Sequence, residues 1–81
     1  MKFFTYILKS ELDGTYYYGH TKDLEGRLKK HNDGKVRSTK SKKPWMLHYH
    51  EIFDSKSEAY SREMYFKSID GYNFLKSENI I

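Results

Sequence analysis

The chain has no cysteine and a single proline, Pro44. Without thiols, neither a disulfide nor a thiolate metal centre can brace the fold. The five glycines stand singly, so there is no glycine-rich loop of the kind that cradles nucleotide phosphates. No apolar run approaches a membrane span, and the opening Met-Lys-Phe-Phe-Thr-Tyr-Ile-Leu-Lys is too short and too polar at its end for a secretory signal. A cytoplasmic location is therefore expected. His20, His31, His48 and His50 form no HxxxH pair, which together with the missing cysteines argues against zinc. No nucleophile-elbow glycine pattern surrounds a serine.

What the 81 residues do contain is aromatic and basic. Eight tyrosines, five phenylalanines and one tryptophan allow a single small domain to build a core, because each large ring buries roughly 150–250 Å². The formal charge of +4 is local. Lys35, Arg37, Lys40, Lys42 and Lys43 fall within nine residues that hold no acid. Taking those five from the fifteen basic residues leaves ten against eleven acids, a near-neutral body. A focused basic patch on such a body suits a polyanion, most commonly a phosphate backbone. The plainer alternative is a solvated loop that aids solubility.

Residues 3–9 are aromatic and β-branched and read as a strand. Asp13-Gly14 supplies a tight turn, and residues 15–20 return as a second, antiparallel strand. Strand alternation places Tyr16 and Tyr18 on one face and Tyr17 and Gly19 on the other. Gly19 within strand chemistry points to a close backbone approach or a bend. Thr21 or Asp23 caps a helix running to about Asn32, with Leu24 and Leu28 as its apolar seam. Arg27 and His31 form a second i, i+4 pair beside that seam, and Glu25 and Lys29 an exposed ion pair. The basic loop then leads to Pro44-Trp45 and a third strand over 46–53, on which His48 and His50 share a face as half-buried residues.

Ser55-Lys56-Ser57-Glu58 is a capping box, and it opens a helix expected from about Lys56 to Ile69. Asp70-Gly71 ends it, and 72–77 forms a last short helix. Ala59, Phe66 and Ile69 define the buried stripe of the long helix, and Glu63 falls on that same stripe. A carboxylate there is costly unless paired or bound to a cation. Lys67 one turn on, Arg27, or a metal ion would each satisfy it. A glycosidase would need two such positioned acids, and the pattern singles out only one. Tyr60, Tyr65 and Tyr72 are left as exposed rings, at the surface or in an interface.

A tyrosine-rich hairpin, an Arg/His helix face, one carboxylate on a packed helix and a basic loop together suit phosphodiester hydrolysis. In order along the chain, the residues resemble the GIY-YIG nuclease family, and more closely its small single-domain bacterial members. The resemblance rests on Tyr6-Ile7, on Tyr17-Tyr18-Gly19, and on the run from Thr21 through Arg27 to His31-Asn32. It continues through Gly34-Lys35, Ser38-Thr39-Lys40, Pro44-Trp45, Ser57-Glu58-Ala59 and Arg62-Glu63, so it covers essentially the whole chain as one domain, 1–81. The name-giving tripeptides read Thr5-Tyr6-Ile7 and Tyr17-Tyr18-Gly19 here, which removes no reactive group.

That resemblance implies an α+β fold, a three-stranded antiparallel sheet flanked by helices in the order β-β-α-β-α-α. It implies an endonuclease cutting DNA, structured or damaged DNA included, with Mg²⁺ or Mn²⁺. Tyr6 and Tyr17 would be the active-site tyrosines, one of them acting as or assisting the base toward water. Arg27 would stabilise charge on the phosphate, His31 would occupy the family's His-or-Tyr position, and Glu63 would hold the metal. Asn73 is the candidate for a late polar residue of the family. Lys35, Arg37, Lys40, Lys42 and Lys43 would grip the backbone without reading sequence, and a partner protein would supply targeting. Two rivals stand beside this reading: a nucleic-acid-binding module without catalysis, and a protein-interaction domain.

Overall fold

The computed structural model describes residues 1–81. Strands β1 (Phe3–Ser10), β2 (Tyr16–Thr21) and β3 (Trp45–Phe53) form one antiparallel sheet in the order β2-β1-β3, and helices α1 (Leu24–Asn32), α2 (Lys56–Phe66) and α3 (Ile69–Ser77) flank it. The α+β architecture and its element order are those expected. No helix is long and apolar enough to cross a membrane.

The pleat divides the molecule into two apolar clusters. Tyr6, Leu8 and Trp45 pack with Tyr17, Leu24, Leu28 and Leu47 on the face that carries α1. Ile7, Phe66 and Leu75 pack with Tyr16, Tyr18 and Tyr49 on the face that carries α2 and α3. The central strand β1 is paired on both sides, so its residues 5–8 are buried whichever way they point. Thr5 faces α2 and donates its hydroxyl to the Ala59 carbonyl at 2.7 Å. The separation of Tyr6 and Tyr17 from Tyr16 and Tyr18 follows directly from the two-residue period.

Three local expectations need correction. The long helix stops at Phe66, not Ile69. Ser68 accepts a hydrogen bond from the Gly71 amide and opens a new helix, with Asp70 in its first turn. Asp70-Gly71 therefore belongs to a helix start, and Ile69 is exposed, outside the buried stripe. At Gly71 the backbone of α3 crosses so close to the Tyr65 carbonyl that a Cβ would overlap it.

On α1, Lys29 pairs with Asp33 at 2.7 Å and not with Glu25. On β3, the register slips at Ile7/Leu8, so His48 is a bulge residue. The slip turns His48 toward Tyr16 on one face and leaves His50 beside Phe4 on the other; the two histidines share no face, and His50 is exposed. Tyr60 and Tyr72 are half-exposed as expected, whereas Tyr65 packs on Phe74 and under Arg62.

Candidate active site

Tyr6 sits opposite Gly19 in the β1–β2 register. Its phenol lies directly across that glycine, and a Cβ at 19 would overlap the ring and its hydroxyl. The glycine therefore makes the space in which Tyr6 reaches α1. There, Asp23 caps the helix by accepting from the Gly26 amide, while Thr21 accepts from the Asp23 amide. With α1 so placed, Arg27 and His31 turn one above the other toward Tyr6.

A chain of hydrogen bonds results. Thr39 Oγ1 donates to the Val36 carbonyl at 3.3 Å and lies 2.7 Å from His31 Nδ1, so His31 donates from Nδ1. Its Nε2 then carries the lone pair and accepts the Tyr6 hydroxyl at 3.1 Å. Arg27 Nε donates back to the Tyr6 oxygen over a longer 3.4 Å. The Tyr17 ring meets His31 edge-on at 5.0 Å and Trp45 at 6.2 Å. Tyr6, His31 and Thr39 are fully or almost fully buried, and Tyr17 is half-buried.

Burial governs the ionisation of this cluster. It pushes the Tyr6 phenol above its ordinary value of 10, against the opposing hydrogen bond and charge of Arg27. Burial, with the Arg27 charge in second place, lowers His31 to about 4. Burial thus favours the proton on the phenol and the neutral imidazole as its acceptor. The resting pair is neutral, and Tyr6 holds its proton at neutral pH.

A stability prediction follows from His31. Its folded value of about 4 lies below the unfolded value of 6.5, so between the two the unfolded chain binds a proton that the folded chain refuses. Stability therefore rises with pH across that window, and acidification from pH 7 to pH 4 should cost about 3 kcal/mol through this residue. Urea unfolding at several pH values checks it. His31→Gln should show a shallower slope, and an unchanged slope would contradict the assignment.

Glu63 stands on the other face of the sheet. It is 8 % exposed, with Oε1 2.7 Å from His20 Nδ1 and Oε2 2.6 Å from Lys67 Nζ. Of the partners weighed from the sequence, Lys67 is the one that forms and Arg27 is not. His20 escaped sequence reasoning. Its strand parity placed it on the face of Tyr16 and Tyr18, but the partner is 43 residues away and visible only in the fold.

No hydrogen bond joins Glu63 to Tyr6, Tyr17, Arg27 or His31, although its charge contributes to the upward push on the Tyr6 phenol. The two halves lie on opposite faces of the sheet, and His20 on the edge strand β2 is the partner that Glu63 takes from it. No group of three or more His, Asp or Glu side chains gathers anywhere as a metal cage. A lone buried carboxylate fits a hard ion of the Mg²⁺ type, which keeps most of its water and takes one or two protein oxygens. Such an ion would be held by Glu63 in place of the Lys67 ammonium.

The five basic-loop residues are all exposed, and only Lys42 has an acid partner, Asp13 at 3.5 Å. The loop is nonetheless anchored. Buried Thr39 bonds His31 through its side chain and receives Trp45 Nε1 on its carbonyl at 2.9 Å. Asn32 clasps both the amide and the carbonyl of Trp45, at 2.6 and 2.9 Å. Asn73 is exposed on α3, away from the buried Gly71 and Leu75, and no hydrogen bond ties it to the other candidates.

A family model described as the GIY-YIG catalytic domain matches residues 2–73. The chain is similar to a UPF0213 protein of Staphylococcus saprophyticus, 43% identical over 76 residues that span 93% of this chain and 92% of that one. A UPF0213 protein of Bacillus licheniformis is 45% identical over 69 residues, 84% of this chain and 70% of that one. The solution NMR structure of the UPF0213 protein of Bacillus halodurans is 36% identical, with a TM-score of 0.55 over 95% of this chain and 84% of that chain. The UPF0213 name states no activity.

Proposed function

Because this chain belongs to the GIY-YIG family, a family of generally metal-dependent nucleases that act on DNA, we propose that it is itself an endonuclease hydrolysing DNA phosphodiester bonds with Mg²⁺ or Mn²⁺. The observation that carries the reading is the bonded cluster of Tyr6, Arg27 and His31, with Tyr17 packed against it. Arg27 spends only its Nε on Tyr6. The Arg27 side chain also lines an open cleft, where a guanidinium can take a phosphate in a forked contact. Preorganised cationic donors at the site of growing charge are among the strongest contributions an enzyme makes.

Burial favours the protonated Tyr6 phenol in the protein alone. Its part is to fix Arg27 and to keep a hydroxyl oriented by neutral His31 at the attacking side. Tyr17, half-buried and nearer solvent, is the phenol that a water can reach. A metal ion on Glu63 would supply Lewis acidity at the phosphate and a more acidic water. The expected result with plasmid, branched and damaged DNA is cutting that requires Mg²⁺ or Mn²⁺ and stops with chelator.

One observation favours the non-catalytic alternative: both Glu63 oxygens are already bonded, to His20 and Lys67. That reading predicts salt-sensitive retardation of DNA without products at any metal concentration. Retardation without cutting on every substrate would overturn the enzyme.

A further inference from the structure

Ten basic residues lie outside the loop of residues 35–43. Lys2, Lys29, Arg62 and Lys67 are paired with carboxylates. Lys9 and Lys76 lie over the rings of Tyr16 and Tyr72. Lys22, Arg27, Lys30 and Lys56 remain, with neither an acid nor a ring as partner, and these four are not scattered over the surface. Lys22 and Lys56 line a hollow that also holds His20; Lys22, Arg27 and Lys30 line a second hollow. The two hollows adjoin, sharing Thr21 and Lys22 at the C-terminal end of β2. The acid bordering them, Asp23, is engaged with the Gly26 amide as the helix cap.

This end of the edge strand also borders both halves of the candidate site. One hollow opens onto Arg27, the other onto His20, which holds Glu63. We propose that Lys22, Lys30 and Lys56 form a second binding track for the phosphodiester backbone, separate from the basic loop, which wraps the end of β2 and carries the strand from Arg27 to the His20–Glu63 side. The inference rests on the nucleic-acid reading above and adds where the backbone lies. Charge alone motivates the ligand class: unpaired ammonium groups line two adjoining hollows, one of which also holds an arginine and the other Met1 and Phe3, and a row of cations matches regularly spaced phosphates. The track brings no base-edge contact and therefore adds affinity without sequence preference.

The test is equilibrium binding of a labelled DNA duplex in chelator, from about 50 to 200 mM KCl. The proteins compared are the unaltered chain, single alanine variants of Lys22, Lys30 and Lys56, and their triple combination. All three lysines are exposed, and urea unfolding of each variant confirms an intact fold. The log–log salt slope should become shallower by about 0.9 for each lysine removed, close to 2.7 for the triple variant. A triple variant that binds with the slope of the unaltered chain overturns the track and leaves the nucleic-acid reading standing. No binding by the unaltered chain at the lowest salt overturns both.

Discussion

Glu63→Gln removes metal-dependent cutting and leaves duplex binding within about twofold. The substitution keeps the shape of the side chain and an oxygen for His20 Nδ1, so packing on the buried stripe of α2 is preserved, while its amide nitrogen no longer accepts from Lys67, whose ammonium can turn to solvent. What is lost is the charge, which is the only feature a Mg²⁺-type ion could use here, since no second acid lies within a metal-binding group. The expected fall in rate is therefore more than about a hundredfold, beyond the 10–100-fold that outer-shell changes cost. Binding should be spared because the cationic residues proposed to grip the backbone lie elsewhere. Single-turnover cutting with metal titration, beside a retardation assay, measures both. A rate unchanged at saturating metal would exclude Glu63 as the anchor.

Arg27→Ala is the second large effect. Its guanidinium bridges the buried phenol and the open cleft, so truncation removes the donor aimed at phosphate charge and the charge that opposes the burial of Tyr6. Loss of one such preorganised donor costs about 10²–10³ in rate. Stability should change little, by about 1 kcal/mol, because the 3.4 Å bond to Tyr6 is long and the guanidinium is already open to water. Arg27→Lys restores the charge without the fork, and should recover binding with little of the rate. A lysine variant that cuts at the full rate would reduce Arg27 to a point charge.

The sequence carried the parts of this picture that depend on period and caps. Alternation alone sorted Tyr16, Tyr17 and Tyr18 onto two faces, and Ser55–Glu58 marked the start of α2 to the residue. It misread the α2–α3 junction because Ser68-Ile69-Asp70-Gly71 carries both a stop and a start. Which one wins is settled by how closely two backbones can pass at Gly71. The bulge at His48 left no local trace, and one slipped residue was enough to move a histidine to the other face. The helical stripe exposed Glu63 as anomalous and offered Lys67, but His20 and the lysines at the end of β2 come together only in space. The basic loop was conspicuous because its five charges fall within nine residues with no acid among them. The second set was hidden because each member sits among acids in the chain.

The clasp of Asn32 on both backbone groups of Trp45 has a consequence for how this molecule can diversify. It ties the two ends of the intervening segment, and Thr39 pins it again near the middle. Once both ends are tied, the entropy of closing the loop grows only with the logarithm of its length, and doubling the span costs about 0.6 kcal/mol. Insertions on either side of Thr39 are therefore cheap, while the His31 and Tyr6 contacts behind it stay in register. The segment between the clasp points is free to change its length and charge without disturbing the Tyr6–His31 pair behind it.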